Sequence, residues 1–219
     1  MKVILFGATG MVGQGVLREC LLDKGVERVL TVGRSTTGGT EQRLQEIALK
    51  NLYDYSSVET QLAGYDACFF CLGISSAGMS EADYRHVTYD MTLAAATVLA
   101  RLNPRMTFVY VSGLGTDSSE KGRVMWARVK GATENALLKL PFKAAYMFRP
   151  GIIRPLHGVR SKTALYQTFY TLLGPLLGLL AWISPDSVTT TEQVGKAMLK
   201  VARDGAPTRF LENRDINRL

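Results

Sequence analysis

The chain has 219 residues, 47% of them hydrophobic and 21% charged, at a mean hydropathy of +0.05; these figures exclude a disordered or fibrous protein and fit one soluble domain of generous size. Lys and Arg number 26 against 19 Asp and Glu, and the resulting net charge of +7 suits an anionic small molecule, an anionic surface or nucleic acid. Three cysteines, an odd number in a chain too large to need staples, argue against a disulfide framework and for a reducing, cytoplasmic setting.

Val3–Phe6 is a short apolar run of strand formers that glycine ends at once, so it reads as a buried strand and not as a secretory signal. Met11–Leu22 follows with apolar residues at helical spacing. Val29–Val32, Arg43–Leu49, Ala67–Leu72, Met106–Val111 and Lys143–Phe148 read as further strands, and Glu81–Leu102, Arg123–Lys139 and Glu192–Arg203 as helices. Strands alternating with helices predict a doubly wound parallel α/β sheet of the Rossmann type, covered on both faces by right-handed crossovers. The alternation breaks after Phe148, which predicts a small C-terminal lobe on the substrate side, residues 154–190 forming a lid or interface segment within the single domain 1–219.

Gly7-Ala8-Thr9-Gly10-Met11-Val12-Gly13 lies between the first strand and the first helix with GxxGxxG spacing. A dinucleotide site needs a tight turn without Cβ, backbone N–H groups open to a pyrophosphate, and close helix–strand contact at the last glycine, and a helix N-terminus favours the negative charge. Flanking strand and helix are both present, so Gly7, Thr9, Gly10, Met11, Val12 and Gly13 are expected to bind a cofactor. Sites for NAD end the second strand with an acid about 20 residues downstream of the glycines. Here Arg34 and Ser35 stand at that point, and the sequence has no acid between Arg28 and Gly39. The predicted cofactor is NADP(H), its 2′-phosphate on Arg34.

Taken with Asp54, Cys71-Leu72-Gly73, Tyr110-Val111-Ser112 and Arg149-Pro150-Gly151, these motifs make the whole chain resemble the atypical short-chain dehydrogenase/reductase superfamily, and within it the Tat-interacting-protein-like group of NADPH-binding proteins. The resemblance implies NADPH along the carboxyl edge of the sheet. By position it puts Asp54 near the adenine, Cys71, Leu72 and Gly73 along the ribose and pyrophosphate, and Pro150, Gly151, Ile152 and Ile153 beside the nicotinamide. Ser112 would face a reacting carbonyl, and Lys130 would hold the nicotinamide ribose.

The chain departs from that superfamily where its catalytic Tyr-x-x-x-Lys should stand: four residues before Lys130 is Trp126. An indole N–H donates a hydrogen bond but exchanges no proton near neutral pH. Tyr110, on the face of Ser112, and Tyr84 are the candidate substitutes. Two readings follow: an NADPH-dependent oxidoreductase with an atypical site, acting on an unidentified carbonyl or nucleotide-sugar-like substrate, or an inert NADP(H)-bound regulator or assembly factor.

Other signals are weaker. Cys68 and Cys71 have redox spacing, yet in a strand they face opposite ways. His86 and His157 lack partners at metal spacing, so no metal is expected, and the serine of Ser112-Gly113-Leu114-Gly115 lacks the context of a hydrolase elbow. Basic residues are dispersed, which argues against nucleic acid. Thr163–Ile183 is apolar and interrupted by Gly174-Pro175, which predicts two short helices serving as a lid or homodimer surface; residues 163–185 would also suit a membrane surface.

Overall fold

The computed structural model describes residues 1–159 and 187–219. The expectations for Thr163–Ile183 lie outside the described residues.

Seven parallel strands form the main sheet in the order β3-β2-β1-β4-β5-β6-β9. They are β1 (Lys2–Phe6), β2 (Arg28–Gly33), β3 (Leu44–Ala48), β4 (Ala67–Phe70), β5 (Thr107–Val111), β6 (Ala144–Arg149) and β9 (Phe210–Glu212). A separate parallel ribbon joins β7 (Ile152–Arg154) to β8 (Val188–Thr190). The helices are α1 (Met11–Leu22), α2 (Glu81–Arg85), α3 (Met91–Leu102), α4 (Met125–Leu137), α5 (Thr191–Asp204) and α6 (Asn213–Arg218). A π-helical turn, His86–Asp90, joins α2 to α3 within the stretch expected as one helix, and a 3-10 turn, Ser56–Leu62, precedes β4.

The continuous apolar runs are explained by the two faces. Val3, Leu5, Ala67, Phe69, Val109 and Phe148 pack with α1 and α5, whereas Ile4, Phe6, Cys68, Phe70, Phe108 and Met147 pack with α3 and α4. Strands covered on both sides have no solvated face, so the alternation of polar residues disappears. The polar tail held more structure than its composition suggests. Leu211 and Ile216, both almost completely buried, anchor β9 and α6 to the α1–α5 side of the core.

Strand order reverses between β1 and β4. At that switch point the connections leave to opposite faces, opening a crevice at the strands' carboxyl ends.

Candidate functional site

The crevice is a cleft of about 540 Å³ lined by Gly7–Val12, Thr31–Ser35, Cys71–Ser75, Val111 and Lys130. Gly7 turns at φ +80°, and a Cβ there would stand 2.7 Å from the Cys71 carbonyl carbon; at Gly13 it would stand 2.0 Å from the Gly7 carbonyl oxygen. Both glycines are required by close approach, Gly13 by packing α1 onto the turn instead of lining the cleft. The N-cap of α1 is Gly10, with no side chain capping the helix and no acid in its first turn. The first N–H groups of a 12-residue helix therefore face the cleft with the positive end of its dipole. A Cβ at Gly73 would meet nothing within 4 Å, so that glycine leaves open space at the cleft wall. Uncapped donors, a wall without side chains and strand ends on both sides fit a dinucleotide pyrophosphate. A larger hollow of about 680 Å³ between α1 and the Thr36–Glu41 loop meets this cleft at Ala8 and Thr9, but β4, β5 and Lys130 do not reach it.

Arg34 and Ser35 are exposed at the cleft's β2 edge. Cys71 and Leu72 line it as expected, and Cys68 is in the opposite core layer; burial raises both thiols far above their ordinary range. Asp54 does not reach it. Its exposed carboxylate instead accepts the Ser56 N–H at 2.9 Å and starts the 3-10 turn. Pro150, Gly151 and Ile152 line a second hollow of about 350 Å³, together with Trp126, Gly113, Leu114 and Ser187, while Ile153 is buried.

Ser112 requires a correction. Its hydroxyl lies 2.5 Å from Glu134 Oε1 and 3.1 Å from the Phe148 carbonyl oxygen, so its single proton is given to interior acceptors and does not face the cleft. The reason is Glu134: fully buried on α4, its carboxylate needs donors, and it takes them from Ser112 and from Arg149, whose Nε donates at 3.0 Å. Arg149 also reaches Glu212 Oε1 at 3.2 Å. Lys130 does line the cleft, and its ammonium donates to the Ser112 carbonyl. Desolvation lowers its pKa to about 8, against a smaller opposing pull from Glu134.

Neither candidate substitute for the missing tyrosine lies at the cleft. Tyr110 and Tyr84 are 1% and 2% exposed, and burial raises the pKa of both. Sequence reasoning also missed Glu46. It sits on β3 opposite Thr31, and only the β2–β3 pairing brings it to the loop after Arg34.

The model of the NAD dependent epimerase/dehydratase family matches residues 3–120, more than half of the chain. The chain belongs to that family. Over 221 residues it is 26% identical to "Protein fmp52-2, mitochondrial" of Aspergillus oryzae, covering 98% of this chain and 95% of that protein. Among solved structures it is similar to the Bordetella bronchiseptica enzyme WbmF in complex with NAD+ (TM-score 0.70, 14% identity, 99% of this chain and 76% of that one). It is also similar to the YIR035C short-chain dehydrogenase/reductase of Saccharomyces cerevisiae (TM-score 0.63, 17% identity, 98% and 96% covered). The fold is thus that of NAD(P)-binding Rossmann proteins of the short-chain dehydrogenase/reductase type, and the narrower Tat-interacting-protein-like group stays a resemblance. The cytoplasmic expectation does not stand, because the fmp52-2 relative and similar FMP52 proteins of other fungi are named mitochondrial. Free thiols indicate a redox condition and not an address.

Proposed function

We propose that this family member is an NADP(H)-binding protein of the short-chain dehydrogenase/reductase type whose described residues are suited to holding the cofactor and poorly suited to fast carbonyl reduction. One observation carries the cofactor choice: the β2 edge of the cleft ends in Arg34 and Ser35, where a 2′-phosphate would meet a guanidinium and a hydroxyl. Gly7–Val12 and the α1 N-terminus would hold the pyrophosphate, and Lys130 the nicotinamide ribose. The bound cofactor would supply or accept hydride. Arg34 makes no ion pair among the described residues and is free for a phosphate. A charge-assisted contact of this kind contributes about 1.5–3 kcal/mol, or roughly 10- to 100-fold in affinity. Calorimetric titration with NADPH and NADH tests it: equal affinities, or a ratio unchanged by Arg34→Ala, refute the assignment.

The choice between an oxidoreductase with an atypical site and an inert cofactor-bound regulator rests on the proton donor. Trp126 beside Pro150 and Gly151, together with a Ser112 hydroxyl committed to Glu134, favours the second reading. Turnover of a carbonyl substrate at ordinary reductase rates by the unmodified protein would restore the first.

A further inference from the structure

Every residue from Arg34 to Gln42 is exposed, so no apolar burial orders the loop that carries the cofactor-facing cation. An acid from the neighbouring strand orders it instead. Glu46 Oε2 accepts the Thr31 hydroxyl at 3.0 Å, the Thr37 N–H at 2.7 Å and the Thr37 hydroxyl at 2.9 Å, while Oε1 accepts the N–H of Gly38 at 3.0 Å. Gly38 is at φ +76°, the left-handed conformation that lets the chain fold back over the carboxylate. Burial alone would raise the Glu46 pKa, but the bonds from Thr37, Thr31 and Gly38 more than offset this and hold it below the ordinary value.

Two chemical consequences follow. A carboxylate oxygen has about two acceptor positions, and the three donors on Oε2 leave that oxygen none for a ribose hydroxyl, the role an acid beside β2 fills in NAD sites. Its charge is also directed into N–H and O–H dipoles at Thr31, Thr37 and Gly38.

We infer that Glu46 is the positioning residue for cofactor specificity: by tying Thr37 and Gly38 back against Thr31 of β2, it fixes the Arg34–Ser35 turn at the cleft edge where the 2′-phosphate of NADP(H) would lie. This rests on the NADP(H) reading of Arg34. Glu46 itself touches no cofactor. Without it the loop, with glycines at 38 and 39, samples many positions, and the cation is presented in only a fraction of them.

The test is calorimetric titration of NADPH and of NADH into the full-length protein and into Glu46→Gln, Thr37→Val and Arg34→Ala, with the melting temperature of each recorded. Glu46→Gln keeps the shape of the side chain but turns one acceptor oxygen into a donor, so it loses part of the clamp. The expected result is a fall of about 3- to 10-fold in NADPH affinity with NADH affinity within about twofold. An unchanged NADPH affinity overturns the inference. So does an equal loss of both cofactors with a lowered melting temperature, which would mark a structural role, or a selective loss of NADH, which would make Glu46 the ribose acid. If Glu46→Gln does not fold, Thr37→Val decides: a selective loss of NADPH supports the clamp and no change overturns it. Arg34→Ala separates the two levels. If it leaves the cofactor ratio unchanged, the NADP(H) reading itself fails; if it lowers the ratio while Glu46→Gln and Thr37→Val do not, only the clamp fails.

Discussion

The indole at position 126 stands one helical turn before Lys130, at the spacing where a phenol would share the lysine's charge and exchange a proton with a carbonyl. General acid assistance contributes about 10²- to 10⁴-fold, and a neutral indole supplies none of it. Trp126→Tyr is therefore expected to raise NADPH-dependent turnover of a reactive dicarbonyl by at least about tenfold, with NADPH affinity within severalfold. Tyr110→Phe and Tyr84→Phe are expected to leave that turnover unchanged, because both phenols are sealed in the core. A large loss in either, measured by NADPH absorbance, would name it as the proton donor.

Lys130 offers a second measurement at the same scale. Its pKa of about 8 in the folded protein lies below the ordinary value of 10.5, since burial disfavours the ammonium. Between those two pH values the unfolded chain holds the extra proton, so this group's contribution to stability rises with pH across the window. Urea midpoints followed from pH 8 to pH 10 are expected to show that rise in the unmodified protein relative to Lys130→Met. A difference flat with pH would contradict it.

At the scale of elements, α4, β5 and β6 are joined by charge as well as by apolar packing. Glu134 of α4 meets Ser112 just after β5 and Arg149 at the end of β6, and none of its carboxylate is exposed. Removing one partner of such a pair strands the other charge, at a cost of about 3–5 kcal/mol. Glu134→Ala is expected to fall at or below the low end of that range, about 3 kcal/mol by urea denaturation, because Arg149 keeps Glu212 as a second partner. Ser112→Ala, which removes one hydrogen bond to the carboxylate, should lose about 1.5–3 kcal/mol. A Ser112→Ala variant that kept its stability but lost activity on a carbonyl would return the serine to a catalytic role. This network also shows where sequence reasoning stopped. Period-two logic put Tyr110 and Ser112 on one face of a strand that in fact ends at Val111. What the serine hydroxyl would bond depended on Glu134, 22 residues away, and on Arg149. The glycine turn was legible because strand, turn and helix are contiguous in the chain; the Glu46 clamp was not, because it exists only once β3 lies beside β2.

Across the whole molecule the two-faced burial of a parallel sheet made the strands easy to find and the last one easy to miss. β9 is only three residues long, and its neighbours in sequence are polar, so no apolar run announces it. Its effect reaches the second hollow all the same. Asn213, directly after β9, accepts the Gly151 N–H at 2.8 Å and so fixes the chain where Pro150 and Gly151 meet Trp126; Ile216 beneath it is fully buried. The C-terminal segment thus couples the far edge of the sheet to the hollow lined by Trp126, Pro150 and Gly151. Ile216→Ala removes buried methyl groups and is expected to cost about 2–5 kcal/mol, readable as a lowered urea midpoint. Asn213→Ala removes the acceptor and leaves the Gly151 N–H without that partner, so it should cost less stability, about 1–3 kcal/mol. The coupling predicts that Asn213→Ala weakens NADPH binding at temperatures where the protein remains fully folded, while Ile216→Ala weakens it only as the protein begins to unfold. Calorimetric titration of both variants well below their melting temperatures distinguishes these outcomes, and unchanged NADPH affinity in Asn213→Ala would confine the tail to holding the sheet together.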